Sequence, residues 1–168
     1  MDASEAFLTL LRDSHSMLNT AMADVPKEQL WRQPPGNSNP IAAVYCHAVG
    51  VEDLYVQQVL QGKPTVWEAG GWGAKLGRER PPNEWGAGEA QPIDLDAFLP
   101  YRRAVYSASE LFIASLGPAD FERAVQFPGR DWSMTVAQLL TLVVSHGTAH
   151  AGEVAALKGV YGGKGLPY

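Results

Sequence analysis

At 168 residues, 46% of them hydrophobic, the chain is long enough to bury one ordinary domain core without disulfides. Its single cysteine, Cys46, excludes an internal disulfide and a cysteine-based zinc site. Thirteen basic against eighteen acidic residues, with no basic cluster, argue against nucleic acid as a partner. No leader segment or membrane-length apolar run appears, so the expectation is a soluble cytoplasmic protein with no membrane partner.

The first predicted helix runs roughly from Asp2 to Ala23. Asp2 and Glu5 make a capping box, and Phe7, Leu11, Leu18, Met22 and Val25 form an apolar stripe. Pro26 and the Pro34-Pro35-Gly36-Asn37 cluster then break the chain. The second helix starts with Asn39 as N-cap and Pro40 at the first helical position, continues to Gln61 and stops at Gly62. Residues 62–92 hold seven glycines, four prolines and three tryptophans (Trp67, Trp72, Trp85). So long a connection reads either as a lid or binding loop, or as a crossover that its tryptophans pin to the domain.

The third helix is predicted from about Asp94 to Leu116, ending at Gly117-Pro118. After a short loop with Trp132 near its end, Thr135 and Gln138 supply a capping box for a fourth helix that ends near Gly159. Four helices and no strand define the expected fold: all-α, a four-helix bundle with a long irregular crossover between helices two and three, one domain over 1–168.

Chemistry concentrates on three histidines. His146 shares its helix face with Leu139, Val143, His150, Val154 and Leu157, all within about a quarter-turn at 100° per residue. His47 sits among Val44, Val51 and Leu54 on the second helix. Histidines at i and i+4 project side by side and can reach one metal ion, and a third from a facing helix completes a facial set. Left without partners, three buried imidazoles would each cost about a few kcal/mol. Coordination removes that cost, as would a packed polar cluster.

Further candidates surround this pattern. His15 lies on the first helix's apolar stripe at similar depth, as a fourth ligand, a general base or a polar core residue. Arg102 falls on the apolar arc of the third helix with Tyr106 one turn on. The pair could receive a substrate carboxylate or phosphate, unless the guanidinium snorkels out or meets an acid. Glu153 follows His150 by three residues and could hydrogen-bond a ligand histidine or accept a proton, or be a surface carboxylate. Cys46 is rotated about 100° from His47, away from ligation, and Asp53 points elsewhere. There is no H-E-x-x-H, no paired E-x-x-H, no Walker A loop and no G-x-S-x-G elbow.

The segment Asn37-Ser38-Asn39-Pro40-Ile41-Ala42-Ala43-Val44-Tyr45-Cys46-His47, together with H-G-T-A-H-A-G-E in the fourth helix, resembles the DinB-like metalloprotein superfamily over nearly the whole chain. The resemblance implies a four-helix bundle holding one divalent metal, often zinc or nickel, through His47, His146 and His150, and frequently a homodimer. Several activities of that superfamily use low-molecular-weight thiols. A mycothiol-dependent isomerase group carries a glutamate at the position of His146, so close kinship with it is disfavoured.

Three functions are consistent with this pattern. The first is a metal-dependent thiol S-transferase or hydrolase acting on a small molecule through a metal-bound thiolate or hydroxide. The second is a non-catalytic metal- or ligand-binding protein of a stress response. The third is a structural bundle with a polar histidine cluster.

Overall fold

The structure, a computed structural model, describes residues 2–84, 92–127, 129, 131 and 133–166. Its helices are α1 (Ala3–Met22), α2 (Lys27–Leu30), α3 (Ile41–Asp53), α4 (Val66–Ala69), α5 (Trp72–Leu76), α6 (Leu95–Ala114) and α7 (Val136–Val160). The long helices α1, α3, α6 and α7 build the all-α bundle that the sequence predicts. α1 packs against α6 and α7, and α3 packs against the same two. The order around the bundle is therefore α1–α7–α3–α6, with α1 and α3 on one diagonal.

Local chemistry sets the ends of these helices. Asp2 accepts from the Glu5 amide at 2.8 Å while Glu5 accepts from the Asp2 amide at 3.1 Å. Thr135 and Gln138 repeat that exchange at the start of α7, and Asp94 caps α6 by accepting from the Asp96 amide. The second helix departs from expectation. Pro40, with an extended ψ of 149°, is its N-cap, so helical geometry begins at Ile41 and the Asn39 side chain makes no capping bond. Beyond Asp53 the helix widens into a π-helical segment, Leu54–Val59.

Two further expectations are corrected. A small antiparallel hairpin, β1 (Ala124–Gln126) with β2 (Ser133–Thr135), precedes α7 where no strand was predicted. Three-residue strands are too short for an alternation to be read. The 62–92 crossover also contains more than loop: α4, α5 and a 3₁₀ turn at Pro82–Glu84.

Its two described tryptophans do pin it. Trp67 is buried edge-on against Tyr101, with ring centroids 5.3 Å apart, and Trp72 lies 5.8 Å from the same ring. Asp53 supplies the polar anchor. Its carboxylate accepts from the Val66 and Trp67 amides at 2.7 and 2.9 Å and from the Tyr101 hydroxyl at 2.8 Å. Asp53 thus holds the first turn of α4 by amides that a helix start leaves without partners. Trp85 and Trp132 lie outside the described residues.

The core is divided by a polar layer. Leu11, Val56, Ile113, Leu139 and Val143 belong to one apolar cluster. Leu18, Val49, Val105, Ala151 and Val154 belong to another. Between these levels each long helix presents polar groups: Ser14 and His15 on α1, Glu52 on α3, Ser109 on α6, His146 on α7. All of α3 is buried except His47, so this helix is enclosed by the other elements and opens only at that imidazole. Among the described residues, no helix is long and apolar enough to cross a membrane.

Candidate metal centre

Two adjoining helices bring His47, His146 and His150 together at the α3–α7 seam. Each offers a ring nitrogen within 4.8 Å of the others. The His47 ring centroid lies 5.3 Å from both of its partners, and those of His146 and His150 are 4.3 Å apart. Among the described residues this is the group of histidine, cysteine or carboxylate side chains placed to share an ion. The rings are half-buried rather than sealed in the core, with the His150 side chain 20% exposed.

Hydrogen bonding orders the rings. His150 Nδ1 lies 2.7 Å from Glu153 Oε2, so a proton on Nδ1 is held by the carboxylate and Nε2 carries the lone pair. That Nε2 stands 3.1 Å from His146 Nε2. Two imidazole nitrogens at this separation must share either a proton or a cation. Tetrahedral Zn–N bonds of about 2.0–2.1 Å put two ligand nitrogens about 3.3 Å apart. The His146–His150 pair therefore fits a divalent ion with little movement, and His47 offers its ring nitrogen within 4.8 Å of both.

The electrostatics favour ligand-ready rings. Burial, then the neighbouring His150 and His47, push His146 down to about 4. Burial, followed by His150, also lowers His47, opposed by a hydrogen bond to the Pro82 carbonyl and by the nearby Glu153. Both rings are neutral at pH 7, the form in which imidazole binds metal.

The scaffold around the rings is tight. A Cβ on Gly147 would meet Ser14 Oγ at 2.5 Å, so the residue beside His146 is small because α1 crosses there. A Cβ on Gly50, one turn after His47, would meet the Asn83 amide nitrogen at 2.8 Å and Pro82 Cβ at 3.2 Å. The Pro82–Glu84 turn therefore lies directly on α3, where the Pro82 carbonyl reaches His47. Gly50→Ala is expected to destabilise the fold by about 1–3 kcal/mol through overpacking, outweighing the roughly 1 kcal/mol that alanine gains in a helix. Urea denaturation checks this, and an alanine variant as stable as the parent would show that the turn yields freely.

The remaining candidates divide between two places. Glu153 joins the three histidines. His15, Arg102 and Tyr106 gather instead between α1 and α6, across the bundle. His15 Nε2 pairs with Glu52 Oε2 at 2.8 Å, and its ring stacks on Tyr106 with centroids 3.4 Å apart. Arg102 bonds Asn19 and Tyr45. Cys46 is fully buried, and burial pushes its thiol well up. Sequence reasoning missed Glu52, Asn19 and the Pro82 carbonyl. The one available signal was Glu52-Asp53, two adjacent acids in an otherwise apolar helix.

A helical bundle with three convergent imidazoles defines a class of candidate metal-binding proteins. Within it, the profile of the DinB superfamily matches residues 10–154, and the chain belongs to that superfamily. A conserved Enterococcus faecalis protein of known crystal structure superposes with a TM-score of 0.72, covering 95% of this chain and 97% of its own. At 12% identity the likeness is one of fold. No curated protein matches the sequence.

Proposed function

We propose that this DinB-superfamily protein binds one divalent ion, zinc or nickel, at His47, His146 and His150. In this reading it is a transferase or hydrolase acting on a small molecule, with a low-molecular-weight thiol or water as nucleophile. The observation that carries the reading is the 3.1 Å approach of the His146 and His150 Nε2 atoms, with His150 Nδ1 already engaged by Glu153. An ion held there would supply a Lewis acid able to lower the pKa of a thiol or water. Glu153 fixes the ring orientation of His150 and, being partly exposed, is placed to take up a proton beside it. Half-exposure of the histidines supports an accessible centre over a purely structural one.

Elemental analysis of untagged protein tests the reading, with metal added back after chelation. Near-stoichiometric metal is expected in the parent and none in folded His47→Ala or His150→Ala. Glu153→Gln is expected to keep one site while losing about 10–100-fold in affinity. A parent protein that takes up neither zinc, nickel, iron nor copper would leave a polar histidine cluster and no metal chemistry.

A further inference from the structure

His47, Gly50 and Asp53 follow one another at three-residue spacing on α3, so they occupy successive turns of one helix. The last two carry the crossover. Asp53 accepts from the Val66 and Trp67 amides and so holds the start of α4. Gly50 receives the Pro82–Glu84 turn at a separation that leaves no room for a side chain. A Cβ there would meet the Asn83 amide nitrogen at 2.8 Å and the Pro82 carbonyl carbon at 3.3 Å. The turn is itself well defined. Pro81 and Pro82 fix two φ angles at its entry, Pro82 is buried, and the Glu84 amide donates to the Pro81 carbonyl at 3.0 Å.

This contact falls one turn from His47, the residue of α3 that is not fully buried. The Pro82 carbonyl accepts a hydrogen bond from the His47 ring. A neutral imidazole has a single N–H, so giving it to that carbonyl leaves the lone pair on the other nitrogen, free for an ion shared with His146 and His150. Glu153 orders the His150 ring in the same manner. The two arrangements differ in origin. Glu153 sits on the helix of the histidine it orders, one turn away, and is fixed by that helix. Pro82 comes from the crossover, and its position depends on how closely the turn can approach Gly50. Partners of this kind are worth about 10–100-fold in metal affinity.

We propose that the Pro82–Glu84 turn, seated on Gly50, is the positioning element for His47, so that docking of the crossover on α3 and metal binding at the three histidines are linked. The proposal rests on the metal reading given above and adds a control of that centre from outside its ligand set. Linkage of this kind is reciprocal. If the docked turn raises metal affinity by some factor, bound metal favours the docked turn by the same factor. A loaded centre therefore holds the crossover against α3, and loss of the ion lets the turn open more often.

Hydrogen exchange at the Glu84 amide of the parent protein, after chelation and then with saturating zinc and, separately, nickel, tests the linkage without any substitution. Protection of that amide is expected to rise about 10–100-fold with bound metal. An unchanged Glu84 rate in metal-loaded protein overturns the proposal, whether or not any variant folds. Gly50→Ala pushes the turn away and is expected to lose about 10–100-fold in zinc affinity. In its metal-free form the His47 ring nitrogens, read by NMR, are expected to change from one tautomer to a mixture. Val105→Ala opens a cavity at a fully buried position of α6 and serves as the control. It is expected to lose stability while keeping the parent's affinity and its single His47 tautomer. A folded Gly50→Ala protein with parental affinity and one tautomer overturns the proposal and leaves the metal reading standing. A parent that takes up no metal is told apart by elemental analysis, and it overturns both.

Discussion

Asp53→Ala is expected to lower stability by about 3–5 kcal/mol, among the largest effects of a single substitution in this chain. The carboxylate accepts three hydrogen bonds: two from the first amides of α4 and one from Tyr101 on α6. Hydrogen bonds to a charged group are worth about 1.5–3 kcal/mol each, and a donor left buried without a partner loses its full solvation. The three are coupled through one side chain, so their losses do not simply add. Burial raises the carboxyl above its ordinary value despite these donors, which means that its ionised form is held at a cost. Asp53→Asn removes that cost along with one acceptor, and is expected to lose about half as much as alanine.

Urea denaturation of the three proteins measures the differences, and a fall in Tm of about 10 °C should accompany the alanine change. Because Asp53 ties the crossover to α3, the loss should be accompanied by faster amide exchange in α4 than in α7. A loss below about 1 kcal/mol would mean that the tryptophans alone hold the crossover.

The buried pair across the α1–α3 diagonal should show the opposite pattern between single and double substitutions. His15 and Glu52 are each only 7% exposed and meet at 2.8 Å. Removing either partner strands the other in the core, so Glu52→Leu and His15→Leu are each expected to cost about 3 kcal/mol. Replacing both by leucine joins the two apolar clusters into one and is expected to be near neutral, since apolar replacement of a buried pair is often neutral or stabilising. The double-mutant cycle would then give a coupling of several kcal/mol. If the double variant instead loses the sum of the singles, the pair is not a unit. The three-histidine centre lies on another seam, so metal content should be unchanged in the double variant, which makes the cycle independent of any metal chemistry.

Most of the bundle was legible in the sequence because its signals are local. Capping boxes at Asp2 and Thr135 and apolar periodicity fixed the long helices to within about two residues, the second counted through its π-helical segment to Gln61. His146 and His150 were legible as a pair because four residues of helix always place two side chains on one face. The π-helical turn after Asp53 and the hairpin before α7 were not legible. The first depends on how α3 packs as a buried helix, the second on strands too short to carry a pattern.

What the sequence by itself determined is the four long helices, their apolar faces and the pairing of His146 with His150, since all of these follow from spacing along one chain. The tertiary structure decided which polar groups meet. His15 found Glu52, Arg102 found Asn19 and Tyr45, and Glu153 found His150. The first two pairings depend on the order of helices around the bundle and on their axial register. No single helix encodes either, because both are set by the packing of side chains from all four.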